Sequence, residues 1–164
     1  MSKAVLISIR PEWCEKIING QKKIEVRKTR PKMNPPYKCY IYRSVQGGVI
    51  GEFVCDDIFE RIVRVGGNCE PPKYCICDWN MDCTPLDTLL ADACLTKDEM
   101  EKYLDGGVGY GWHISNLKIY DTPRELREFY AVPNEVEVAL KAKPKPVTRP
   151  PQSWRYVEEE LWND

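Results

Sequence analysis

The stretch Gly20-Gln21-Lys22-Lys23-Ile24-Glu25-Val26-Arg27-Lys28-Thr29-Arg30 restricts this chain more than any other. Upstream of it, Trp13, Cys14, Ile17 and Ile18 form an apolar stripe at helical spacing. Pro11 suits the first turn of that helix, where its missing N–H costs nothing. Gly20 suits the end, where a left-handed backbone is cheapest for glycine. Ile24 and Val26 then alternate with Lys23, Glu25 and Arg27, the two-residue period of a half-buried strand. The expected product is a helix, a turn that presents Lys22, and a strand with one face in the core. The other face is expected to show a carboxylate flanked by cations. From Lys22 to Lys32 six cations oppose the single acid Glu25, on a chain whose net charge is −1. Such a concentration attracts phosphates and other anions at short range. A solvated strand face without any ligand has the same pattern, and both readings stand at this level.

The rest of the chain reads as short strands and helices. Val5 to Ile9 is apolar on both faces and rich in branched residues, as a central strand requires. Cys39 to Tyr42 is a short aromatic strand, and Gln46-Gly47-Gly48 turns it into a second one over Val49 to Cys55. Tyr37, Tyr40 and Tyr42 suit either base stacking or core packing. Glu52 lies in line with Ile50 and Val54, so it needs a partner, which the basic strand is expected to supply, or an exposed edge. Residues 64–93, with Gly66-Gly67 and Pro71-Pro72, read as an irregular excursion. Thr96 and Glu99 predict a capping box and a helix from Lys97 to Leu104. Tyr110 to Tyr120 reads as a strand with a bulge near Ser115-Asn116, where the alternation slips. In it His113, the one histidine, reads as a hydrogen-bonded structural residue before a catalyst. A short helix is expected from Arg124 to Tyr130, and Lys141 to Pro151 reads as an extended Lys- and Pro-rich linker. Hydrophobic parity places Val5, Ile7, Ile9, Ile24, Val26, Phe53 and Trp112 against one core of a single mixed sheet.

Gly20-x-Lys22-x-x-Glu25-x-Arg27 resembles the G-x-K-x-x-E-x-R signature of the ASCH domains, which belong to the PUA-like β-barrel superfamily. Leu6 to Trp13, Val49 to Cys55, and Gly111-Trp112-His113-Ile114 occur in the order that family shows, so the resemblance spans residues 4 to 130. It implies an α+β fold, a PUA-like (ASCH) mixed β-barrel flanked by short helices. Residues 1–130 would form this domain. Residues 131–164 would be a linker and a C-terminal tail docked through Trp154, Tyr156 and Leu161, since Gln152 to Val157 resembles a tail segment of relatives.

The resemblance implies an RNA- or nucleotide-binding module. Lys22, Lys23, Arg27, Lys28 and Arg30 would hold phosphate, while Trp112 or a tyrosine stacks a base. The alternative is a small hydrolase. Some small ASCH proteins remove an acyl group from acetylated cytidine with a lysine, a threonine and a glutamate, and others are linked to RNA cleavage. Lys22 matches that lysine, but Glu25 stands where those enzymes carry threonine. Glu99 and Asp92 are the candidates for the further acid. In the hydrolase reading Lys22 and Glu25 are catalytic, Glu25 as a base on water and Lys22 on an oxyanion. A structural ion pair on a strand has the same sequence pattern.

Composition narrows the partners. With 164 residues, one domain with a real core is expected. No apolar run approaches the ~20 residues that span a bilayer, and the N-terminus lacks a signal-peptide pattern, so no membrane contact and a cytoplasmic location are expected. Acids crowd the stretch from Asp78 to Asp105, so any nucleic-acid contact must be local. No cofactor and no protein partner can be inferred. Of the eight cysteines, Cys14, Cys39, Cys55 and Cys94 sit among apolar residues. Cys69, Cys75, Cys77 and Cys83 cluster, but their spacing lacks the C-x₂₋₄-C pairs of zinc sites. Reduced thiols without metal are expected there.

Overall fold

The apolar N-terminal run forms strand β1 (Lys3–Ile9), in which Ala4, Val5, Leu6 and Ile7 are wholly buried. The computed structural model describes residues 2–65, 73–77, 83–84 and 86–160. After β1 come α1 (Pro11–Ile18), β2 (Ile24–Arg27), β3 (Tyr37–Arg43), β4 (Val49–Val65), β5 (Lys73–Cys77) and β6 (Cys83–Thr84). They are followed by α2 (Asp87–Ala93), α3 (Lys97–Leu104), β7 (Gly109–Arg124), α4 (Glu135–Ala139) and β8 (Trp154–Glu158). The strand order is β2-β7-β4-β3-β1-β8, with β5 on β4 and β6 on β5. The β1–β3 pair is parallel, while β1–β8 and β2–β7 are antiparallel, so the fold is α+β with a mixed sheet. All seven residues that alternation assigns to the core are at most 5 % exposed. In β7, Asn116 has φ +46°, the left-handed residue that a bulge takes, where the alternation slips. Among the described residues, no helix is long and apolar enough to cross a membrane. The chain divides into two compact units.

The first unit comprises Met1–Glu15, Pro36–Val54 and Asn116–Asp164. β1 lies between β3 and β8, with Val5 opposite both Cys39 and Tyr156. Ala4, Leu6, Tyr40, Val49, Phe129, Val147 and Val157 pack into one cluster. Val147 corrects the linker reading: its N–H donates to the Phe129 carbonyl at 2.8 Å, and it is 2 % exposed. Proline-rich composition excludes regular structure there, but it leaves one apolar side chain free to bury. The helix expected over Arg124 to Tyr130 shrinks to a single 3₁₀ turn, Leu126–Glu128, because β7 runs on through Arg124.

Gly51 is dictated by β7. A Cβ there would lie 2.4 Å from the Lys118 carbonyl oxygen, so no larger residue fits without moving backbone. Glu52 is also explained by its neighbours. Tyr120 donates its hydroxyl to Glu52 Oε2 at 2.6 Å, and Lys38 Nζ lies 3.5 Å from Oε1. Its partners therefore come from β3 and β7, which flank β4, and the expectation of a partner from the basic strand is corrected. Burial pushes the Tyr40 and Tyr120 hydroxyls above the ordinary tyrosine range, and the hydrogen bond to Glu52 adds to the shift of Tyr120. Arg124 makes a two-pronged pair with Glu160, at 2.5 and 2.9 Å.

The second unit comprises Lys16–Pro35 and Cys55–Ser115. Ile24 and Val26 of β2 pack with Ile62 of β4 and with Leu86, Leu89, Ala93, Met100 and Leu104 at and along α2 and α3. The capping box forms as its spacing predicts: Thr96 Oγ1 accepts from the Glu99 N–H, and the Thr96 N–H donates to Glu99 Oε2, both at 3.1 Å. The irregular reading of 64–93 is corrected by β5, β6 and α2, whose five, two and seven residues are too short for periodicity to register. Gly66-Gly67, Pro71-Pro72 and Cys69 lie outside the described residues, and so does Leu161 of the tail.

Candidate nucleic-acid interface

The basic stretch begins as a pair of caps. Gly20 takes φ +81° at the end of α1, and its N–H donates to the Ile17 carbonyl at 3.1 Å. Nothing lies within 4 Å of where a Cβ would stand, so backbone conformation alone calls for glycine. The Lys22 N–H then donates to the Lys16 carbonyl at 2.9 Å. Lys22 and Lys23 go on to close the far end of α2. The Lys23 N–H donates to the Asp92 carbonyl at 2.7 Å, and Lys22 Nζ donates to the Ala93 carbonyl at 2.6 Å. A helix leaves its last carbonyls without intrahelical donors, and an ammonium also suits the negative end of its dipole.

From that cap the Lys22 ammonium reaches Glu25. Nζ lies 3.3 Å from Glu25 Oε2, and Arg27 Nε donates to Glu25 Oε1 at 2.9 Å. Lys22, Glu25 and Arg27 are 3, 6 and 9 % exposed. Each carboxylate oxygen thus faces a cation, which is the condition for keeping such charges away from water. This corrects the expected open face, because all four residues of β2 are buried. Glu25 stands opposite Trp112 and Arg27 opposite Tyr110 on β7. Trp112 itself is wholly buried and presents no face to a base. Its ring belongs to the core that its parity indicated.

The outward charge is carried by other residues of the same stretch. Lys23, Lys28 and Lys32 are exposed. Arg30 is half-buried and donates to the carbonyls of Pro31 and Met33, each at 3.2 Å, which shapes the turn after β2. Lys28 Nζ sits 5.0 Å from the centre of the Tyr103 ring. Tyr103 on α3 is 40 % exposed, and burial of the rest of the residue raises its hydroxyl pKa, with Arg27 opposing. Sequence reading missed Tyr103. The available signal was its place off the Met100–Leu104 stripe, an aromatic where a helix of this composition shows polar residues.

Of the two candidates for a further acid, only Glu99 has its carboxylate committed elsewhere. The Glu99 carboxylate completes the capping box, and Asp92 enters through its carbonyl. His113 Nδ1 and Asp56 Oδ1 share a hydrogen bond of 2.6 Å, and this bond first of all holds the Asp56 carboxyl below the usual range.

The sequence profile of the ASCH domain matches residues 7–105. No curated protein is significantly similar to the chain in sequence. Among solved structures, the ASCH protein of Zymomonas mobilis is similar with a TM-score of 0.60 and 17 % identity, over 95 % of this chain and 88 % of that one. A tyrosine-to-phenylalanine variant of it aligns at 0.60 and 17 %, over 96 and 92 %. A serine-to-alanine variant aligns at 0.59 and 17 %, over 95 and 89 %. This likeness shows the fold alone, a mixed sheet flanked by short helices.

Proposed function

We propose, from the premise that the chain belongs to the ASCH domain family, that it binds single-stranded RNA or a nucleotide through the cations following Gly20. One observation carries this reading: the cations divide into a buried set and an exposed set. Lys22 and Arg27 are committed to Glu25, while Lys23, Lys28 and Lys32 are exposed. The buried set holds β2 in place, so Lys23 and Lys28, which flank it, start from a fixed element. Phosphates neutralised by them would release counterions, which gives affinity without base specificity. Tyr103, beneath Lys28, supplies an aromatic face beside that charge for one base.

A hydrolase is the second reading, favoured by the 3.3 Å approach of Lys22 to Glu25. Against it, each Glu25 oxygen already faces a cation, and a general base must reach the proton it takes. The test is a panel of acylated nucleosides and short RNAs offered to wild type, Lys22→Ala and Glu25→Gln. The binding module yields no product with any of the three, and both variants melt below wild type. Wild-type turnover that disappears in Glu25→Gln at an unchanged melting temperature would establish the hydrolase instead.

A further inference from the structure

The segment Gln152 to Val157 plays no part in the basic stretch at 22–32. In the first unit this segment becomes β8, and an open cleft of about 750 Å³ runs along it. The cleft is lined by Lys3, Arg149, Arg155, Trp154 and Tyr156, with Val132, the two prolines Pro150 and Pro151, and two uncharged polar residues, Gln152 and Ser153. Lys3, Arg149 and two aromatic residues line it, and none of the lining residues is acidic.

The aromatic pair is ordered. The Trp154 and Tyr156 rings stand 5.4 Å apart at 80°, an edge-to-face arrangement, and Lys3 Nζ lies 5.7 Å from the centre of the Tyr156 ring. The segment leading into β8 is tied to β1. Ser8 donates through its hydroxyl to the Pro151 carbonyl at 2.6 Å, and its N–H donates to the Ser153 carbonyl at 2.9 Å. Pro150 and Pro151 stiffen the approach, so Arg149 is carried on a segment with little entropy to lose. Lys3 has Glu158 as its register partner on β8, which offsets part of its charge. Phosphate attraction therefore falls to Arg149, which is exposed, while strand alternation turns the Arg155 side chain to the face opposite Trp154 and Tyr156. The Nε of Arg155 is buried and has no hydrogen-bond partner among the described residues.

We infer that this cleft is a second contact surface for a single nucleic-acid strand, taking one or two unstacked bases on Trp154 and Tyr156 and an adjoining phosphate on Arg149. Bases stack on aromatic faces whatever their identity, and an arginine beside the ring serves both phosphate and π-face. A purely electrostatic dock for an acidic protein would not need the aromatic pair. The inference goes beyond the reading of the 22–32 stretch and stands without it.

The test is photocrosslinking of a ten-residue oligouridine carrying 5-bromouracil to the wild-type full chain, with the linked peptide located by mass spectrometry. Crosslinks to Trp154 or Tyr156 are expected. Crosslinks confined to 22–32 or to Tyr103 would overturn the inference while supporting the function proposed above, and the converse pattern would overturn that function and leave the cleft standing. Three variants give the magnitude. Trp154→Ala should lower oligouridine affinity about tenfold. Trp154→Phe retains a ring and should lose less, which keeps the comparison open if the alanine variant folds poorly. Arg149→Ala should reduce the salt dependence by about one contact. An oligoglutamate peptide that displaces the RNA at equal concentration, with Trp154→Phe and Arg149→Ala both neutral, would overturn the inference in favour of a protein dock.

Discussion

Replacing Lys22 by alanine exposes how this motif is built. The substitution removes the donor to the Ala93 carbonyl and one of the two cations on Glu25. Breaking a buried ion pair from one side costs about 3–5 kcal/mol, and orphaning a buried acceptor costs about 1–3 kcal/mol. Arg27 stays at 2.9 Å and offsets much of the first loss, so a net loss of about 3 kcal/mol is the working figure. For a chain of this length each kcal/mol shifts Tm by roughly 2–4 °C, so the variant should melt about 6–12 °C below wild type. Urea unfolding measures the same loss as a lower midpoint at an unchanged slope. Lys23→Ala, one residue on and exposed, should stay within about 0.5 kcal/mol of wild type. If the two alanine variants melt together, Lys22 is not a structural cap and the division of the cations fails.

Other perturbations test separate parts of the account. Gly51→Ala places a methyl 2.4 Å from the Lys118 carbonyl and should cost about 1–3 kcal/mol in thermal or urea unfolding. Tyr40 and Tyr120 titrate higher in the folded state than their ordinary value of 10.0. Their contribution is complete below pH 10 and is lost as pH rises through the raised folded values, so melting temperature should fall above pH 10, less steeply in Tyr120→Phe. Asp56 is shifted the other way. Its contribution is present above its ordinary value of 3.8 and lost as pH falls through the lowered folded value, so His113→Ala should flatten the acid limb of a stability profile. That effect should be small, because Asp56 and His113 are 46 and 37 % exposed.

Alternation exposed the core readily. β1, β2, the hairpin at Gly47-Gly48 and the bulge at Asn116 all follow from apolar parity or a left-handed residue, signals that lie within a few neighbours. What parity cannot register is long-range placement. Nothing near Lys22 in sequence announces that the end of α2, seventy-one positions on, leaves a carbonyl for its ammonium. Tertiary placement likewise hid the partners of Glu52 and turned a basic face read as open into a buried triad. Charge density near Gly20 correctly marked where cations gather, but burial decides which of them can meet a ligand. Val147 and α4 were missed because one buried valine and a five-residue helix are too slight to outweigh lysine and proline.

The most direct test of the account is single-stranded RNA affinity as a function of salt, for wild type and for Lys23→Glu/Lys28→Glu. Both substitutions fall on exposed residues, so the double variant should melt close to wild type. The account predicts wild-type binding that weakens as salt rises, with a slope reflecting about three to five phosphate contacts, and a double variant that loses affinity for every sequence alike. Wild-type binding independent of salt, or a double variant that binds as tightly as wild type, would contradict it.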